Sequence, residues 1–152
     1  MNPAGITRRM LLGGAAVLTV LPLASVHATP ETMRAAIAAV AAARPMREGK
    51  VTLDIQPLVD NGNTVPMRVS VESRMDGTDR VRAIHVFNER NPQPHVLSAS
   101  FGPLAGRASI STRIKLGDSQ KVVALAEMQD GTLWTASVDV IVTLAACVEG
   151  VL

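Results

Sequence analysis

Hydrophobic positions along the chain change their period twice. Gly13 to Leu23 form a nearly continuous apolar run. Met33, Ala36, Ile37 and Val40 then recur at helical spacing. After Gly49 the period falls to two. Val51, Leu53 and Ile55 alternate with polar residues, and so do Val65, Met67, Val69 and Val71. Val81, Ala83, His85 and Phe87 share one face of a further strand, with Arg82, Ile84 and Val86 on the other. A 3.6-residue period marks one buried stripe of a helix, and a two-residue period marks a strand.

The helix has sequence signals at both ends. Thr29 is a capping residue, Pro30 suits the first helical position and Glu31 places a carboxylate in the first turn. Arg44-Pro45 stops it, because the residue before a proline is pushed out of the helical region. Later strands are expected over His95–Phe101, Arg107–Leu116, Lys121–Met128 and Thr132–Leu144. Asn61-Gly62, Asp76-Gly77, Asn91-Pro92, Gly102-Pro103, Gly117-Asp118 and Asp130-Gly131 punctuate them as turns. About seven strands at this spacing, after one short N-terminal helix, predict an all-β antiparallel β-sandwich. Trp134 is expected in the core or at an interface.

The first apolar run reads as an export signal. Arg8 and Arg9 form a twin-arginine pair ahead of it, and Val26-His27-Ala28 places small residues at cleavage offsets. The run is shorter than the ~20 residues that a spanning helix needs. Residues 1–28 are therefore expected to be a twin-arginine signal peptide. Residues 29–152 are expected to be one periplasmic domain, free of the membrane once the signal is cleaved. Without the leader the charge picture changes. The chain has 15 Lys+Arg against 13 Asp+Glu, and loss of Arg8 and Arg9 makes the domain formally neutral. That neutrality, with 2% aromatic residues and no tyrosine, speaks against a nucleic-acid partner.

Cys147 is the chain's single cysteine, five residues from the end. An odd cysteine in an exported protein suggests intermolecular pairing or a working thiol. No phosphate loop, dinucleotide fingerprint or paired-histidine zinc motif is present. His85 and His95 read as structural histidines. Three alternatives stay open: a nucleophile–base pair of Cys147 with either histidine, a mononuclear metal site, and an incidental cysteine. No catalytic residues, resident metal or cofactor are expected.

Several segments together resemble one family. Val59-Asp60-Asn61-Gly62-Asn63-Thr64-Val65-Pro66 is similar to its E-N-G-x-x-V-P turn, and Phe87–Pro94 to its E-x-N-P-x-P corner. Ser111–Leu116 and then Gln120–Ala124 resemble its T-R-I-R-L and Q-x-V-x-A strands, with Val142-Thr143 leading to Cys147. The family is SoxY, the sulfur-carrier subunit of the thiosulfate-oxidising Sox system. The resemblance implies an immunoglobulin-like sandwich paired with a SoxZ-like subunit as a heterodimer. It also implies that Cys147 is the covalent sulfur attachment point, loaded by a SoxAX-type haem enzyme and unloaded by a SoxB-type hydrolase. The family's arm usually reads Gly-Gly-Cys-Gly-Gly. Here Ala145, Ala146, Val148, Glu149 and Gly150 surround the cysteine. Alanine restricts the backbone and Val148 crowds the sulfur. Glu149 disfavours the thiolate and repels an anionic substrate. If the last strand ends near Val142, about five residues would carry the thiol outward, roughly 17 Å at ~3.4 Å per residue. A SoxY-like binding subunit whose cysteine carries nothing is the competing expectation.

Overall fold

The computed structural model describes residues 28–146. Helix α1 spans Pro30–Ala41. The strands are β1 (Met46–Glu48), β2 (Val51–Ile55), β3 (Leu58–Val59), β4 (Val65–Val71), β5 (Val81–Asn88), β6 (His95–Ser100), β7 (Ala108–Ile114), β8 (Gln120–Met128) and β9 (Leu133–Val142). They form a six-stranded sheet ordered β1-β9-β8-β5-β6, to which β3 adds beside β9, and a three-stranded sheet ordered β2-β4-β7. The result is an all-β sandwich with one short N-terminal helix.

Alternation decides which side chains fill the space between the sheets. Val51, Leu53 and Ile55 of β2 meet Val65, Met67, Val69 and Val71 of β4 on the inner face of the small sheet. Ile84 and Val86 of β5, with Val122, Ala124, Ala126 and Met128 of β8, face them from the large sheet. The outward residues of the small sheet, among them Asp54, Arg68 and Arg113, are exposed.

The large sheet is covered on both faces. Met33, Ile37 and Ala41 of α1 pack on Phe87, Val123, Leu125 and Leu133. This explains the continuous apolar run Val122–Ala126 in β8, which a half-exposed strand would not carry. The helix starts at a reciprocal cap. The Thr29 hydroxyl accepts from the Thr32 amide at 3.2 Å, and the Thr32 hydroxyl accepts from the Thr29 amide at 2.7 Å. At its C-terminal end Arg44 donates to the Val40 and Ala41 carbonyls, and pairs with Glu127 of β8 at 2.9 Å.

All seven expected strands are present, and two more appear. β1 is exposed at every position and β3 has only two residues. Both pair with β9 through the backbone, and only Val59 of β3 reaches the core, so neither is long enough to show a side-chain period. Both pairings are parallel, whereas the seven expected strands pair antiparallel with one another throughout, as expected of the sandwich. Trp134 is half-buried against the core, and the Lys50 ammonium lies 5.7 Å from its ring centre.

Candidate arm base and its neighbours

The C-terminal residues do not leave the sandwich where β9 ends. Thr143 donates its amide to the Val59 carbonyl at 3.0 Å. The Leu144 carbonyl accepts from the Gly62 amide at 2.8 Å. The Ala146 amide donates to the Leu116 carbonyl at 3.0 Å, and Leu116 in turn donates to the Gly62 carbonyl at 2.8 Å. Ala146 is only 6% exposed, whereas Ala145 points to solvent. Four of the residues expected to give the thiol its reach are thus tied to the body or bracketed by tied neighbours. The expected free arm from Val142 is corrected: the chain stays anchored as far as Ala146, the residue before Cys147.

Gly62 makes this anchorage possible. A Cβ there would lie 2.3 Å from the Leu116 carbonyl oxygen, 2.8 Å from the Ala146 nitrogen and 3.0 Å from Val142 Cγ1. Three backbone segments therefore cross at a spacing that only glycine permits.

A second set of side chains fixes the same corner. Asn91 donates through Nδ2 to the Lys115 carbonyl at 2.8 Å, and its Oδ1 accepts from the Gly117 amide at 3.0 Å. Gln120, 5% exposed, donates to Asn91 Oδ1 and accepts from the Arg90 amide. Glu89 accepts from the Lys121 amide, and Ser119 Oγ accepts from the Val142 amide at 2.9 Å. The turn around Leu116 is thereby held by side chains from 89–91 and 119–120. Segments scattered through the sequence meet at one end of the sandwich, under the start of the arm.

Cys147, Val148, Glu149 and Gly150 lie outside the described residues, as do Arg8 and Arg9. The histidines do come together. His85 Nδ1 and His95 Nε2 lie 2.5 and 2.8 Å from the same Ser98 hydroxyl, with ring centres 6.3 Å apart. Burial holds the His85 pKa below its ordinary value; the Glu127 carboxylate opposes this and His95 reinforces it. His85 Nε2 is buried without a hydrogen-bond partner, so this histidine is less fully satisfied than expected. Among the described residues no group of three or more His, Cys, Asp or Glu is arranged to hold a metal ion.

Asn88 escaped sequence reading. It occupies an inward position of β5, is fully buried, and has no partner for either side-chain atom. Its signal was available: a polar residue continuing the inward series Ile84, Val86. Leu58 and Ile141, paired across β3 and β9, are 58% and 59% exposed, and Leu144 is 61% exposed. They place exposed apolar side chains beside the arm base.

The family model for the sulfur oxidation protein SoxY matches residues 36–147. The chain belongs to the SoxY family. Among solved structures it is similar to the sulfur carrier protein SoxY from Chlorobium limicola f thiosulfatophilum. That match has 23% identity and a TM-score of 0.63, covering 75% of this chain and 98% of the other. It is also similar to the superoxide reductase neelaredoxin from Ignicoccus hospitalis, with 18% identity and a TM-score of 0.50, covering 62% and 80% of the two chains. At these identities the likenesses establish a shared sandwich fold. A comparison with curated proteins gave no match.

Proposed function

We propose that this SoxY-family chain is a periplasmic sulfur carrier, exported by its twin-arginine leader, that holds sulfur intermediates covalently on Cys147. The observation that carries the proposal is convergence. The Asn61-Gly62 turn, the Asn91 corner, Leu116 and Gln120 all meet under residues 143–146, immediately before the cysteine. A structural cysteine needs no such elaborately fixed base, whereas a thiol presented to several enzymes needs a defined point of departure.

The chemistry balances with two partner enzymes. A SoxAX-type haem enzyme joins the Cys147 sulfur to the terminal sulfur of thiosulfate. The thiol loses its proton, a disulfide bond forms, and two electrons pass to the haem protein. The product is a cysteine thiosulfonate carrying one negative charge. A SoxB-type hydrolase then adds water across the sulfur–sulfonate bond. Hydrogen sulfate leaves and a persulfide remains on Cys147. The carrier itself supplies the sulfur anchor and its placement. A SoxZ-like subunit completes the heterodimer, and the exposed Leu58, Ile141 and Leu144 support a partner surface next to the arm.

Intact mass spectrometry of the periplasmic protein, from cells grown with and without thiosulfate, tests the proposal. Thiosulfonate and persulfide adducts are expected only with thiosulfate, and none on Cys147→Ser. An unmodified Cys147 under active thiosulfate oxidation would instead assign the chain as a binding subunit with an incidental cysteine.

A further inference from the structure

The open side of the sandwich, between the free edges of β6 and β7, contains a cleft of about 410 Å³. Its wall includes the Asn91-Pro92-Gln93 corner, and its lining also takes in Asn88, His95, Arg113 and Lys115. No carboxylate lines it. Arg113 and Lys115 are exposed, and among the described residues neither side chain has an ion-pair or hydrogen-bond partner. Asn88 is fully buried, and both ends of its amide lack a partner. A buried amide without partners costs free energy unless something else satisfies it. Two cations and an unsatisfied amide donor lining one cleft form the chemical complement of a small anion with several acceptor oxygens.

We infer that this cleft binds a small tetrahedral sulfur oxyanion, of the sulfate or thiosulfate type, with Asn88 at its floor and Arg113 and Lys115 at its rim. The walls are fixed in advance. Asn91 is bonded to Lys115 and Gly117, and the Asn88 backbone N–H donates to the Pro94 carbonyl at 2.9 Å. Little ordering is therefore left for the ligand to impose. Lys115 immediately precedes Leu116, whose carbonyl anchors Ala146. An anion held here sits at the end of the molecule from which the arm departs. On the carrier reading, that end is where an anionic substrate or an anionic cargo has to be accommodated. The anion site itself stands on the cleft's own geometry and does not depend on that reading.

The test uses the full-length domain as Cys147→Ser, so that binding is read without any covalent chemistry at the thiol. Sodium thiosulfate and sodium sulfate are titrated at low ionic strength. Isothermal calorimetry gives the affinity, and the Asn88 side-chain amide resonances report the location. Saturable binding that shifts those resonances is expected. Arg113→Ala and Lys115→Ala, both at exposed positions, should together weaken binding about tenfold or more, as loss of charge-assisted contacts predicts. Arg68→Ala, outside the cleft, should leave it unchanged. Asn88→Leu should abolish binding while preserving the fold; the two rim variants decide the matter if Asn88→Leu does not fold. Absence of saturable binding at millimolar anion, equal binding of chloride, or insensitivity to the rim substitutions would each overturn the inference.

Discussion

At the scale of single residues, the pair His85 and Gly62 shows how differently a side chain and its absence report on a structure. His85 looked like a structural histidine because its neighbours in sequence are apolar, and the fold half-buries it. What the sequence concealed was that His85 Nδ1 and His95 Nε2 would share the one Ser98 hydroxyl, leaving His85 Nε2 buried and unpartnered. Protonating His85 would place a charged N–H against apolar neighbours, which is why burial lowers its pKa. The unfolded chain then binds this proton more readily than the folded one over a window below the ordinary imidazole value of 6.5. Stability contributed here is complete above that value and is lost as pH falls through it towards the lowered folded value. Urea midpoints should therefore fall between pH 7.5 and 5.5, and His85→Gln should flatten that slope relative to wild type. A wild-type slope retained in His85→Gln would assign the acid sensitivity to other groups. Gly62, by contrast, was legible as half of an Asn-Gly turn signal within a family-like segment. Nothing local indicated that Leu116, 54 positions onward, would press its carbonyl into the space of a missing Cβ.

At the scale of elements, period and punctuation located the helix and all seven main strands: β2 and β4 alternate buried and exposed positions, β8 is apolar on both faces, and turn residues separate the strands. The limits were equally physical. β1 exposes Met46, Arg47 and Glu48, and its pairing with Leu133–Thr135 uses backbone groups that every sequence possesses. The C-terminal end of α1 was placed by Arg44-Pro45, but Arg44 does more than precede a proline. Its guanidinium bonds the Val40 and Ala41 carbonyls, the Gly131 carbonyl and Glu127. It thus satisfies helix-end acceptors and ties α1 to the β8–β9 hairpin. Both partners of the ion pair are partly shielded, with side-chain exposures of 32% and 16%. Arg44→Ala should therefore destabilise the domain by about 1–3 kcal/mol, more than an exposed surface pair such as Arg34–Glu31 contributes. Chemical denaturation of the two variants Arg44→Ala and Arg34→Ala checks this. Equal small effects would mean that α1 is held by Met33, Ile37 and Ala41 alone.

At the scale of the whole molecule, family-like segments that lie far apart between Val59 and Ala146 converge on one end of the sandwich, a relation that no linear reading displays. The same convergence changes the expected behaviour of the arm. From Val142 a free chain would have projected the cysteine far from the body. Instead, Thr143, Leu144 and Ala146 are bonded to Val59, Gly62 and Leu116. Delivery of Cys147 into a deep cleft would require those bonds to open, so the anchorage and the thiol's accessibility should be coupled. Gly62→Ala separates the two cleanly. The added methyl group must displace the Leu116 carbonyl or the Ala146 nitrogen, at a cost of about 1–3 kcal/mol for overpacking a tight site. The melting temperature should fall accordingly. If the anchor restrains the arm, alkylation of Cys147 by a bulky maleimide should accelerate severalfold in Gly62→Ala, because the segment before it is already released. The same substitution in Cys147→Ser should lower the melting temperature by the same amount, since the clamp bonds run through Thr143, Leu144 and Ala146. A lowered melting temperature with an unchanged alkylation rate would show that the clamp stabilises the sandwich without governing the thiol.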